Sequence, residues 1–294
     1  MELATDLFLV SVRSCGWLTV MFQLQNSTAL ITGASAGLGS EFVRQLGGVA
    51  KALVLVARRG DRLLALEEEL LAAHPQLEIY TYSVDLTRAT ERERFLQRLG
   101  AQGIVPDLLI NNAGMGDYGD FGASDWDKVE ALLQLNMVAL THLTHALLPV
   151  MRVAGGAAII NVSSLASLLP IPDFVAYAAS KAYVSSFSES LRHELRAEKV
   201  NVVALCPGPV KTEFGDIARR EGSGKLEAPG GKMFYTEARV VVSKALRAAE
   251  SNKPRVFPGL PVFLTAMAIE ALPAPLLRFI LGKRDRYDEG GAAD

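Results

Sequence analysis

The sequence predicts an α/β protein, a doubly wound parallel sheet covered by helices on both faces in a three-layer αβα arrangement within a single domain. Three observations carry this. From Ser27 onward, short aliphatic runs alternate with amphipathic stretches, the pattern of strands joined by crossover helices. Most of the runs are continuous in aliphatic residues, as strands buried on both faces are. The first run feeds directly into a glycine-rich turn and a helical stretch, where open parallel sheets bind their ligands.

Strands are expected at Thr28–Thr32 (TALIT), Ala52–Ala57 (ALVLVA), Leu77–Tyr82, Asp107–Ile110, Ala157–Val162 and Val200–Cys206, with a short last strand at Arg255–Phe257. Each is rich in β-branched or aliphatic residues and bounded by turn or helix signals. Helices are expected at Gly37–Leu46, Arg62–Ala73, Arg88–Leu99, Trp126–Met151, Tyr177–Lys199 and Glu237–Glu250. Asp61 and Thr87 have the chemistry of N-caps for the second and third. Residues 1–26 read as a leader, 27–258 as a nucleotide-binding domain, and 259–294 as an apolar helical extension with a polar tail. Thr212–Lys232, glycine-rich and of mixed charge, reads as a mobile loop, and a loop that long in a compact domain is usually functional or disordered.

Composition narrows the function. Half of the 294 residues are apolar and the net charge is −2, with 30 basic against 32 acidic residues. Nothing here draws the surface as a whole towards nucleic acid. Two cysteines, Cys15 and Cys206, form neither a disulfide framework nor a zinc motif, so a reducing, cytoplasmic setting is expected. Leu7–Leu24 is apolar but interrupted by Ser11, Arg13, Ser14, Gly16 and Thr19, and Glu2 and Asp6 make its start acidic. These features count against a spanning helix or a secretory signal and favour a loosely attached leader, with a membrane anchor as the alternative, and Met21 is a second candidate start. Leu260–Leu281 is broken by Glu270, Pro273, Pro275 and Arg278. It has three readings: a substrate-pocket cover, an oligomer contact, or a segment lying on a membrane surface.

The turn Thr32-Gly33-Ala34-Ser35-Ala36-Gly37-Leu38-Gly39 lets backbone approach a pyrophosphate, and the following helix start offers N–H groups and a positive dipole end. Gly33, Ser35, Gly37, Leu38 and Gly39 are therefore candidate cofactor contacts. Their spacing is GxxxGxG, not the commoner GxGxxG. At the end of the second strand, where an NAD protein is expected to carry an acidic residue for the ribose hydroxyl, stands Arg58-Arg59. A guanidinium fork suits a phosphate, so Arg58 favours NADP(H), against the alternative of a solvated strand-end arginine. Asp85 has two readings, a contact to the adenine amino group or a turn residue. Asn112, Ala113 and Gly114 close the fourth strand with groups small enough to lie against a ribose.

Tyr177 and Lys181 stand i and i+4 on one helical face. A nearby ammonium favours the phenolate and so suits tyrosine to acid–base work. Ser164, at the end of the fifth strand, can donate to a carbonyl oxygen as negative charge develops there. Asn136 is a poor helix former whose side chain can hold a water.

Taken together, TGASAGLG, NNAG, Asn136, Ser164, YAASK and Cys206-Pro207-Gly208-Pro209-Val210-Lys211-Thr212 resemble, in order and spacing, the short-chain dehydrogenases/reductases. The likeness runs from about Ser27 to Phe257. It implies a Rossmann-like sheet of seven strands, with Tyr177 as acid/base, Lys181 as its partner and ribose ligand, and Ser164 as carbonyl anchor. Asn136 would complete the set through a water relay to Lys181. Pro207, Gly208, Val210 and Thr212 would hold the nicotinamide carboxamide. The "ARR" after the second strand and Pro258-Gly259 resemble the NADP-type subgroup. Homodimers or homotetramers are implied, through the helices around Trp126–Met151 and Tyr177–Lys199. The expected substrate is a small hydrophobic carbonyl compound or alcohol. The rival expectation, a non-catalytic NADP-binding scaffold on the same fold, has the intact Ser-Tyr-Lys set against it.

Overall fold

The computed structural model describes residues 22–153, 156–220, 234–273, 275, 276 and 279. Leader residues 1–21 with Cys15, loop residues 221–233 and the tail from 280 lie outside the described residues. Seven parallel strands form one sheet in the order β3-β2-β1-β4-β5-β6-β7. They are β1 Thr28–Thr32, β2 Ala52–Ala57, β3 Glu78–Ser83, β4 Leu108–Asn111, β5 Ala157–Val162, β6 Val200–Leu205 and β7 Arg255–Val256. The order reverses direction between β1 and β4, which opens a crevice above their C-terminal ends.

Successive strand residues point to opposite faces, and the two cores divide along that alternation. Ala29, Ile31, Leu53, Leu55, Leu108, Ile110, Ala158 and Ile160 pack on one face. There they meet α1 (Gly37–Leu46), α2 (Gly60–Ala73) and α8 (Ala238–Glu250) through Phe42, Leu63 and Val241. Leu30, Val54, Val56, Leu109 and Ile159 pack on the other. Their partners are Phe95 of α3 (Ala89–Ala101) and Leu143, Leu147 and Met151 of α5 (Leu140–Val153). Phe22 is buried in the first core and the Leu24 N–H donates to Glu250 Oε1 at 3.2 Å, so these leader residues pack on the domain.

Both expected N-caps are corrected. α2 starts at Gly60, one residue ahead of Asp61, so Asp61 sits in the first turn with its charge at the positive dipole end and does not cap. At α3 the N-cap position is Arg88. The Thr87 N–H and hydroxyl both donate to Asp85 Oδ1, at 3.0 and 2.7 Å, and this tight turn uses up Thr87 before the helix begins.

The long helix expected over Trp126–Met151 is three segments: α4 (Trp126–Leu133), a π-helical stretch (Gln134–Ala139) and α5. Trp126–Val153 is long and apolar enough to cross a membrane by length and composition, yet its apolar face packs on the sheet. The helix expected to Lys199 is α6 (Val175–Glu194), followed by a 3-10 turn at Leu195–Ala197. Two further helices lie over the C-terminal ends of the strands: α7 (Phe214–Ala218), inside the expected loop, and α9 (Leu260–Ala271). Leu260, Phe263, Leu264 and Met267 of α9 face solvent.

At the opposite end of the sheet, Asp107 Oδ1 accepts the Thr28 N–H at 2.9 Å. Burial pushes its carboxyl up to about 6, against the hydrogen bonds from main-chain N–H groups that favour the charged form. The folded chain then binds the proton more tightly than the unfolded one, so stability falls as pH rises from about 4 through about 6. Asp107→Asn keeps an oxygen for Thr28. It should flatten that slope and gain about 1 kcal/mol at pH 7, after allowance for partial solvation. Urea midpoints at pH 4.5 and 7 check this; a variant with the wild-type slope contradicts it.

Candidate active site

The glycine turn is clamped by Thr32 and Asn112. Thr32 Oγ1 accepts the N–H groups of Asn112 and Ala113, each at 3.0 Å, and the Asn112 side-chain amide donates to the carbonyls of Thr32 and Gly33. Gly33 adopts φ +67°, and a Cβ on Gly39 would stand 2.0 Å from the Gly33 carbonyl oxygen, so the turn admits no side chain there. α1 starts at Gly37 with no side-chain cap, leaving its first turn free for an anion to cap. These residues fit the pyrophosphate of a dinucleotide. Gly114 is the corresponding cradle on the β4 side: a Cβ there would lie 3.3 Å from Asn136 Oδ1 and 3.4 Å from Lys181 Nζ.

Around Tyr177 the four predicted catalytic positions converge. Ser164 stands beside the Tyr177 phenol and favours its charged form, while its hydroxyl accepts the Ala166 N–H at 3.1 Å. Lys181 is buried and donates from Nζ to the Val162 carbonyl at 2.8 Å. The same Nζ lies 5.6 Å from the centroid of the Tyr177 ring. Burial pushes the phenol up to about 12, with the Ser164 bond opposing, and pushes the lysine down to about 8. Both shifts have the same cause: each group pays to carry charge away from water.

Asn136 sits in the π-helical stretch and is buried. It holds the loop after β4 as a peptide group would: Oδ1 accepts the Met115 N–H and Nδ2 donates to the Met115 carbonyl, both at 3.0 Å. Nδ2 also donates to Ser180 Oγ at 3.0 Å. Asp85 forms the turn with Thr87 described above. Burial raises its carboxyl, but the Thr87 bonds and the charges of Arg58 and Arg88 outweigh this and hold it below the usual range.

Arg58 is exposed at the end of β2, and its carbonyl accepts the Ser83 hydroxyl. Arg59 turns towards the glycine turn, with Nε 3.4 Å from Ser35 Oγ. Thr212 lies over that turn, its Cγ2 3.3 Å from where a Cβ on Gly37 would be. Gly208 faces Val262 of α9, and Val210 pairs with Thr236 in an isolated bridge.

Residues not singled out from sequence complete the surroundings. Phe174 stacks on Tyr177 with ring centroids 4.2 Å apart, Phe214 tilts against it at 5.4 Å, and Tyr118 meets Phe174 edge-on at 5.8 Å. They come from three separate segments, so no local pattern marks them. Thr32 was legible, since it opens the glycine motif.

A doubly wound sheet with this turn, with buried Tyr177 and Lys181 next to a half-buried Ser164, is the architecture of a nicotinamide-dependent oxidoreductase. The short chain dehydrogenase family model matches residues 27–221, and the chain belongs to that family. It is 30% identical over 250 residues to the 11-beta-hydroxysteroid dehydrogenase of Pinus massoniana, covering 80% of this chain and 69% of that one. A short-chain dehydrogenase from Sphingobium yanoikuyae, solved in complex with NADPH, superposes with TM-score 0.71 at 29% identity, over 91% of this chain and 99% of that one. A family member from Burkholderia phymatum, solved with NAD, superposes with TM-score 0.73 at 26% identity, over 84% and 94%.

Asn136→Ala would strand the N–H and carbonyl of Met115 in a protein interior. The expected loss is about 2–3 kcal/mol, read as a lowered denaturation midpoint; an unchanged midpoint would show that water replaces the amide without cost.

Proposed function

We propose that this protein is an NADP(H)-dependent reductase of hydrophobic carbonyl compounds, and a dehydrogenase of the matching secondary alcohols. The observation that carries it is the cluster at Tyr177: a phenol next to Ser164, with a lysine held by the Val162 carbonyl 5.6 Å from its ring, and aromatic rings packed on it. NADPH, when bound, supplies the hydride. Gly33, Gly37 and Gly39 would let its pyrophosphate approach α1, Asn112, Ala113 and Gly114 would flank its adenosine, and Pro207, Gly208, Val210 and Thr212 would flank the nicotinamide. Lys181 would take a ribose hydroxyl.

The protein's own part is to place and move one proton. Ser164 donates to the carbonyl oxygen of the substrate, which polarises it and stabilises the charge that develops there. Tyr177 gives its phenolic proton to the same oxygen as the carbon is reduced. The Lys181 cation lowers the cost of the phenolate left behind. Phe174, Phe214 and Tyr118 exclude water and favour apolar substituents on the substrate. The guanidinium groups of Arg58 and Arg59, at the end of β2, favour the 2′-phosphate of NADP over the bare ribose of NAD. A cytoplasmic homo-oligomer is the setting that this reading assumes.

The two directions should differ in pH dependence. The neutral phenol that reduction needs persists to about pH 12, so reduction should decline as Lys181 loses its proton around pH 8. Oxidation needs the phenolate and should rise with pH. Tyr177→Phe should keep nucleotide binding and lose about 10²–10⁴-fold in kcat in both directions. A panel of steroids, quinones and aldehydes followed by NADPH absorbance checks this, and turnover undiminished in Tyr177→Phe defeats the assignment.

Arg58→Asp or Arg59→Asp should each shift the NADPH to NADH ratio of kcat/KM about tenfold or more towards NADH. A ratio unmoved in both variants contradicts the cofactor reading.

A further inference from the structure

The segment Thr212–Arg220, which carries α7, spans from the glycine turn to the loop after β4. Ion pairs of opposite character fasten it at its two ends. At the far end, Arg220 donates from Nε to Asp117 Oδ1 at 2.7 Å and pairs through Nη2 with Asp117 Oδ2. It also reaches the Asp120 carbonyl at 2.6 Å and Ser124 Oγ at 2.5 Å. The Asp117 carboxylate is 2% exposed and has a second cation, Lys128, at 3.2 Å. Burial would raise its carboxyl, but the two cations outweigh that and keep it ionised. Breaking this pair would leave a buried charge.

At the near end, Glu213 joins Arg59 and Arg62. Its Oε2 accepts from Arg59 Nη1 at 3.0 Å, and its two oxygens accept from Arg62 Nη1 at 2.8 and 3.1 Å. All three side chains are roughly 40–50% exposed, so one anion can replace another there at small cost. Two guanidinium groups converging on a dianionic phosphate is a common recognition geometry. Arg59 already leans on Ser35 in the glycine turn. Between the two fastenings Phe214 packs on Tyr177, and Thr212, just before Glu213, lies over Gly37. The segment therefore covers the nucleotide turn and the phenol together.

We propose that Glu213 is a built-in competitor for the phosphate-binding donors of Arg59 and Arg62. A 2′-phosphate on the nucleotide displaces its carboxylate and frees the near end of Thr212–Arg220, which stays hinged at Arg220. A nucleotide without that phosphate leaves the segment fastened. Cofactor discrimination and access to Tyr177 are thereby linked through one side chain. The inference rests on the NADP reading above.

The test uses the full chain with adenosine 2′,5′-bisphosphate and adenosine 5′-monophosphate as probes. Glu213→Gln should tighten calorimetric binding of the bisphosphate roughly fivefold and leave the monophosphate unchanged. In the wild type, the bisphosphate should speed amide exchange across Phe214–Ala218, and the monophosphate should not. Bisphosphate affinity unchanged or weakened by Glu213→Gln, or tightening equal for both nucleotides, overturns the competition. Arg59→Ala separates the two failures. If it removes the preference for the bisphosphate while Glu213→Gln is inert, the competition fails alone. If Arg59→Ala and Arg58→Asp both leave that preference intact, the NADP reading fails with it.

Discussion

Lys181 brings an ammonium group into the protein interior, where it donates to the Val162 carbonyl at the end of β5. That contact fixes how far α6 can slide along the sheet edge, and the rest of the crevice follows from it. Ser163, next in the chain after Val162, bonds back to the Lys181 carbonyl and to Ser185, so strand end and helix are tied in both directions. One turn before the lysine, Tyr177 is delivered to Ser164. Ser180, beside the lysine, receives Asn136, which in turn holds Met115. The β4 loop, the π-helical stretch and α6 are thus indexed to one another through buried and half-buried hydrogen bonds.

The same burial sets the chemistry. A phenol pushed up to about 12 and a lysine pushed down to about 8 are two groups that both resist charge. A site in this condition holds its proton on the phenol and gains most from a neighbour that bears charge when the reaction requires it. The aromatic enclosure strengthens every such interaction by keeping water away. Phe214 is the member of that enclosure carried on α7.

What the sequence made legible was local. The glycine turn, the apolar strands and the i, i+4 pair of Tyr177 and Lys181 each express themselves within a few residues, while the strand order does not. The cap positions misread at Asp61 and Thr87 show the limit of that locality. Either residue type can cap, but Gly60 starts its helix a residue early and Asp85 captures Thr87 into a turn. Asn136 was noticed yet misplaced, because a π-helical stretch is not visible as periodicity. Asp117 with Arg220, and Glu213 with Arg59, join residues 103 and 154 positions apart. Nothing in either neighbourhood announces its partner.

Those distant pairs divide the labour of covering the crevice. A charge pair with a buried carboxylate, such as Asp117 with Arg220, is costly to break and specifies where the chain must be. A pair in solvent, such as Glu213 with Arg59 and Arg62, adds little stability and can be exchanged. Had both ends been sealed, Phe214 would be a fixed wall over Tyr177; had both been exposed, the segment would have no defined resting place. With one of each, the segment keeps a hinge while its other end answers to whatever anion reaches the arginines. On the proposal above, the chain packed on Tyr177 is then controlled from the nucleotide end of the same crevice.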